Sequence, residues 1–212
     1  MTMMDIQIKR GYYHNLFSWK EFESFINVRP LMTDQRVEVL NNKVYTWDNT
    51  PWAKYNNCYP PSILKEVLET EVCYFKDMSR LTKKINSLAK RFEEIYKRQT
   101  DAHIYVCRNP KIKHPFGVHY DLSDNIIVQC EGKTNFKVWG SVDPEKYEQR
   151  DKLPVPKEEP IVNVVLESGD AIWIPRHYLH LATSKTSRLS VSFPMSYASP
   201  NGYFEERDWI EL

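Results

Sequence analysis

His119-Tyr120-Asp121 sets an imidazole and a carboxylate two residues apart. At the end of an extended strand, residues i and i+2 point to the same face, so the two groups converge. A further imidazole comes from Ile174-Pro175-Arg176-His177-Tyr178-Leu179-His180, at His177 or at His180. Two imidazoles and one carboxylate form a facial set that suits Fe(II) and leaves positions open for oxygen and a co-substrate. A structural zinc site would close on four ligands, commonly thiolates. Cys58, Cys73, Cys107 and Cys130 form no CxxC pair. They support neither a zinc site nor a disulfide framework, and they fit a reducing, cytoplasmic setting. His-x-Asp alone is common on surface strands, so its context decides its meaning.

The elements that must position these residues are legible in outline. With 212 residues the chain suffices for one sizeable core, and 42% apolar against 27% charged residues is a globular composition. Beyond residue 100, short β-type runs alternate with turns: His103–Arg108, Asn125–Cys130, Phe136–Trp139, Ile161–Leu166, Ala171–Ile174 and Arg188–Phe193. Strands of this length and spacing predict a barrel or a two-sheet jelly roll. Before residue 100, Leu81, Ile85, Leu88, Phe92 and Ile95 recur at helical steps and predict a helix over 80–98. Its lysines and arginines read as a solvated outer face, diluted by Glu93 and Glu94. A shorter helix is expected from Ser62 to Thr70, capped by Ser62, after a turn at Asn57-Cys58-Tyr59-Pro60-Pro61. Lys and Arg number 29 and Asp and Glu 28, a net charge of +1 that gives no global attraction to nucleic acid. No apolar run is long enough for a membrane span, and the N-terminus has no apolar signal core.

Leu166-Glu-Ser-Gly169-Asp170-Ala-Ile-Trp-Ile-Pro175-Arg176 reads as strand, tight turn, strand, and a proline that delivers a histidine. Together with Phe116-Gly117-Val-His119-Tyr-Asp121 and Asn125-Ile-Ile-Val-Gln129-Cys-Glu131-Gly132-Lys133, it resembles the JmjC-type branch of the cupin superfamily. The likeness is strongest to ribosomal-protein hydroxylases and the hypoxia-pathway asparaginyl hydroxylase, and it covers residues 100–195. It implies a mainly β double-stranded β-helix with flanking helices. Residues 1–99 would form an α/β elaboration whose helix 80–98 packs on the barrel, and residues 196–212 a C-terminal extension. It also implies an Fe(II)- and 2-oxoglutarate-dependent oxygenase, with His119, Asp121 and His180 as metal ligands. In the resembling pattern His180 falls on the metal-binding histidine and His177 falls where glycine is usual, so His177 and the nearby His114 are read as loop or outer residues.

The resemblance breaks at the co-substrate anchor. The position where JmjC-type relatives carry Lys or Arg is here Thr134, and Lys133 lies one residue earlier on the opposite strand face. On the last run, Arg188, Ser190 and Ser192 alternate with Leu189, Val191 and Phe193. This Arg-x-Ser pattern on a late strand resembles the carboxylate clamp of 2-oxoglutarate oxygenases outside the JmjC branch, which implies that Arg188 holds the far carboxylate of 2-oxoglutarate through paired hydrogen bonds, helped by Thr134 or Ser190. Tyr105 aligns with a pocket tyrosine and Asn125 with an asparagine of the asparaginyl hydroxylase, whereas His103 stands in place of an asparagine. The expected substrate is a protein or peptide side chain. Alternatives are a small molecule or a metal-dependent cupin reaction without 2-oxoglutarate. With about nineteen residues after the last barrel run, the given sequence is not expected to include C-terminal domains like those of the ribosomal-protein hydroxylases. The oligomeric state stays open, with a lean towards a monomer.

Overall fold

A computed structural model of the chain describes residues 6–28, 31–32, 37–39, 58–59, 61–76, 78–112 and 116–195. His114, Trp47, Trp52 and the extension 196–212 lie outside the described residues. In chain order the elements are β1 (Gln7–Lys9), α1 (Trp19–Val28), β2 (Leu31–Met32), β3 (Val37–Val39), β4 (Cys58–Tyr59) and α2 (Pro61–Thr70). Next come β5 (Cys73–Phe75), α3 (Lys83–Tyr96), β6 (His103–Cys107), β7 (Asp124–Glu131) and β8 (Thr134–Ser141). Then follow β9 (Val162–Leu166), β10 (Ala171–Ile174), β11 (Tyr178–Ser184) and β12 (Arg188–Met195).

Two antiparallel sheets face each other, as a double-stranded β-helix requires. The larger runs β1-β10-β7-β12-β6-β5-β3 and the smaller β11-β8-β9. The smaller sheet is widened by irregular chain. His119 and His180 exchange both backbone hydrogen bonds, N–H to O at 3.1 and 2.8 Å. On the other side of that segment, Lys152 N–H reaches Phe116 O at 2.7 Å and Leu153 N–H reaches Val118 O at 2.9 Å.

β7 explains why the fold holds. Ile126, Val128 and Cys130 pack with helix residues such as Phe22, Ile26, Leu68, Ile85 and Phe92. Ile127 points the other way, to Phe136, Val138, Ile172 and Ile174 between the sheets. A strand buried on both faces reads as a continuous apolar run, and Asn125–Cys130 is nearly that. Hydrophobic burial against helices on one side and a second sheet on the other therefore fixes its register.

α3 lies inside the expected span but faces the core through Ile85, Ala89, Phe92 and Tyr96. Leu81, Leu88 and Ile95 only flank that contact. Ala89, small and 3% exposed, lies between these residues on the buried face. Thr82 caps the helix by accepting from Ile85 N–H at 3.2 Å. α2 begins at Pro61, one residue before the expected start. Ser62 is thus inside the helix and Pro61 opens it, as suits a residue with no N–H and a fixed φ. The expected turn at 57–61 instead places Cys58 and Tyr59 in a strand paired with Leu31–Met32. Among the described cysteines, Cys73, Cys107 and Cys130 are free and buried.

A buried ion pair pins the site end of β7. Arg98 Nη1 lies 2.5 Å from Asp124 Oδ2, with the two side chains 8% and 0% exposed. The other oxygen, Oδ1, accepts from Arg176 N–H at 2.8 Å. Breaking a buried pair by removing one partner leaves an uncompensated charge, so Arg98→Ala should cost about 3–5 kcal/mol. Urea denaturation would read this as a lower midpoint at unchanged slope.

Candidate active site

His119, Asp121 and His180 meet between the open ends of the two sheets. One ligand atom from each lies within 4.8 Å of the others. The imidazole rings are 4.0 Å apart between centroids, and His180 Nε2 is 3.8 Å from Asp121 Oδ2. His180 is 2% exposed, whereas His119 and Asp121 are half-buried at the mouth.

The backbone sets the tautomers. His119 Nδ1 lies 3.1 Å from Gly117 O, and His180 Nδ1 lies 2.9 Å from Tyr178 O. A carbonyl only accepts, so each Nδ1 carries the proton and each Nε2 presents a lone pair. Such hydrogen bonds orient metal-binding histidines. Asp121 Oδ2 accepts from Asn125 Nδ2 at 3.2 Å, and Ser192 Oγ donates to Asn125 Oδ1 at 2.6 Å. Ser192 was visible in the sequence only as one of three alternating polar residues on β12.

Charge is tuned the same way. Burial opposes the Asp121 carboxylate, but His180, His119 and the Asn125 amide outweigh it and hold the carboxyl below its ordinary range. Burial, with the neighbouring His180, pushes His119 down to about 4, so its imidazole is neutral and ready to coordinate. The unfolded chain binds this proton near pH 6.5, whereas the folded chain binds it only near 4. Stability of the metal-free protein is therefore expected to fall as the pH drops through that window, because the unfolded state takes up the proton first. Melting temperatures recorded across it would check the sign.

His177 stands apart from this group. Its φ is +66°, its N–H donates to Asp121 O at 2.8 Å, and its carbonyl accepts from Val142 N–H at 2.9 Å. It shapes the turn that feeds β11, a conformation in which glycine is unstrained.

Behind the triad a small cavity is lined by Tyr105, Phe116, Asn125, Ile127, Phe136, Ala182 and Arg188. Arg188 is 2% exposed. Its Nε donates to Ser190 Oγ at 2.9 Å, and its Nη1 has no partner. Its Cζ lies 5.5 Å from the Tyr105 ring and 5.7 Å from the Phe136 ring. Burial lowers it to about 10, which still leaves it charged at neutral pH. Among the described residues no carboxylate pairs with it. A buried guanidinium without a counter-charge is costly unless an anion completes it.

Thr134 and Ser190 are buried but do not line the cavity. Ser190 fixes the guanidinium, and Thr134 Oγ1 is a buried hydroxyl with no partner. Lys133 faces away and pairs with Glu167 at 2.6 Å on the surface, as the strand face predicts. Phe116, Phe136 and Ala182 were not singled out from the sequence. Of these, Phe116 carried a signal, its place beside Gly117 in the first motif.

A family model described as JmjC domain matches residues 80–203, more than half of the chain. Among relatives, the chain is 29% identical over 126 residues to the "Bifunctional lysine-specific demethylase and histidyl-hydroxylase NO66" of Aedes aegypti, covering 58% of this chain and 19% of that protein. It is 24% identical over 208 residues to "Ribosomal oxygenase 1" of Gallus gallus, covering 91% of this chain and 32% of that protein. The chain thus spans a third or less of the length of these relatives. Among solved structures it resembles Escherichia coli ycfD, with a TM-score of 0.61, 15% identity, and coverage of 94% of this chain and 52% of that one. A structure of YcfD, a ribosomal oxygenase, in complex with cobalt and 2-oxoglutarate gives a TM-score of 0.60 at 15% identity, over 93% of this chain and 49% of that one. These structural likenesses concern the fold.

Proposed function

The chain belongs to the JmjC domain family, and from that premise we propose that it is an Fe(II)- and 2-oxoglutarate-dependent oxygenase that hydroxylates a protein side chain. The observation that carries this is the orphaned guanidinium of Arg188 at the inner end of the cavity whose mouth holds His119, Asp121 and His180. A metal chelate at the mouth and a buried cation at the base suit a short dicarboxylate that spans the two. Relatives named as histidyl-hydroxylase and ribosomal oxygenase support a protein substrate. The same assignment treats residues 100–195 as the catalytic barrel and residues 1–99 as its elaboration.

The donor set fits the metal: two neutral imidazole Nε2 atoms and one carboxylate are borderline-to-hard ligands of the kind Fe(II) takes. When bound, Fe(II) would activate O2, the oxidant, with 2-oxoglutarate as the co-reductant, so that oxygen can be placed in a C–H bond. The chain supplies the rest. Asn125, held by Ser192, aims the Asp121 carboxylate. Gly117 O and Tyr178 O hold the two Nδ1–H groups, which leaves Nε2 as the ligand atom of each ring. Arg188, steadied by Ser190, would hold the far carboxylate as a charged hydrogen-bond donor. Tyr105, Phe116, Ile127, Phe136 and Ala182 wall the pocket and exclude water, which strengthens these charge interactions.

The test is anaerobic addition of Fe(II) and then 2-oxoglutarate to metal-free protein, read by the visible metal-to-ligand charge-transfer band. The band should appear only when both are present. Iron binding without a band would sink the 2-oxoglutarate assignment and favour a metal-only cupin reaction. Absence of iron binding would sink the oxygenase.

A further inference from the structure

Tyr74, His103 and Asp101 form a hydrogen-bonded chain that the proposed reaction does not use. Tyr74, on β5, is 8% exposed. Its ring stacks on Tyr105 at 4.6 Å and 27°, and meets Phe116 edge-on at 6.4 Å. Phe116 in turn lies 5.3 Å from the His119 ring. Aromatic rings thus run without a break from a metal ligand to Tyr74.

The phenol hydroxyl is bonded to His103 Nδ1, and His103 Nε2 lies 3.1 Å from Asp101 Oδ2. Burial opposes the Asp101 charge, but the His103 and Ala102 N–H donors outweigh it and hold the carboxyl down to about 2. An ionised carboxylate only accepts, so Nε2 carries a proton towards Asp101, and the nitrogen of the neutral imidazole that can act as a base is then Nδ1, which faces the phenol. A phenol gives up an electron readily when a base takes its proton in the same step. An amide at position 103 would tie down the hydroxyl without being such a base.

We propose that Tyr74 is a redox-active side chain that supplies one electron to the metal centre when the centre is oxidised by O2 with no target bound. The Tyr74 O–H bond breaks. Its proton passes to His103 Nδ1, giving an imidazolium paired with Asp101. Its electron passes through the intervening rings to the oxidised metal, which is reduced by one unit. Tyr74 is left as a neutral phenoxyl radical, and a thiol reductant restores it by donating a hydrogen atom. This role rests on the oxygenase assignment above.

The experiment uses wild-type protein, Tyr74→Phe and His103→Asn, each loaded anaerobically with Fe(II) and 2-oxoglutarate. The charge-transfer band is recorded first. Oxygen is then admitted without a target, and the samples are frozen for electron paramagnetic resonance. All three should show the band. The wild type should give a tyrosyl radical, Tyr74→Phe should give none, and His103→Asn should give several-fold less. Equal radical in all three, or none in a wild type that shows the band, overturns the donor role. A wild type without the band fails at the earlier step: that result removes the oxygenase assignment, and the donor role with it.

Discussion

His180→Ala should lower Fe(II) affinity by more than about 100-fold, since the loss of even an outer hydrogen-bond partner of a ligand costs roughly 10–100-fold. His180 is the most enclosed member of the triad, and its Nε2 lies 3.8 Å from the Asp121 carboxylate. The deletion removes a ligand atom and the Nδ1–H that donates to Tyr178 O. Loss of that hydrogen bond costs about 0.5–1.5 kcal/mol, which a melting curve of the metal-free protein would separate from the metal effect. Anaerobic calorimetric titration with Fe(II) gives the affinity directly. Unchanged affinity would remove His180 from the metal site.

Arg188→Ala should leave iron bound and raise the 2-oxoglutarate concentration needed to form the charge-transfer band by about 100-fold. The magnitude follows from charge-assisted hydrogen bonding, about 1.5–3 kcal/mol per bond, with about 1.4 kcal/mol for each factor of ten. Arg188→Lys should recover only part of this, because an ammonium meets a carboxylate as a point charge and cannot form the paired bonds. The contrast between an intact metal titration and a weakened co-substrate titration marks Arg188 as the anchor. A band that forms at wild-type concentrations in Arg188→Ala would remove Arg188 as the anchor and send the search to buried polar groups such as Thr134, whose hydroxyl has no partner.

The two assignments differ in how far they were legible. The triad was written in residue types and motif order, and the structure brings those three side chains within one small sphere. The strand that carries His180 was not. Tyr178 and Ala182 face the space between the sheets, and Leu179 packs on the other side with Val118 and Trp139. With both faces covered, β11 shows no polar–apolar alternation. Arg188 could be read from alternation on β12. Its depth could not, because burial depends on the shift in pairing between Leu189 and Ser190 against β7, a long-range property. The α3 face was legible, since Leu81, Ile85, Leu88, Phe92 and Ile95 all pack on the core; the periodicity of large residues omitted only Ala89 and Tyr96, which are buried beside them. The chemistry of His103 was half hidden: Asp101 stands two residues before it, whereas Tyr74 comes from a distant segment of the chain.

The reciprocal backbone bonds between His119 and His180 give the site a further property. The two ligands are directly opposed partners across an isolated bridge, yet about 60 residues separate them, and closing such a loop carries a large entropic cost that grows only slowly with length. A metal held by both imidazoles would act as a removable cross-link at that closure. Metal binding would then shift the folding equilibrium by mass action. The hairpins of β8 to β10 would be held shut by the ion that performs the chemistry, so loss of metal would loosen the barrel at its mouth first.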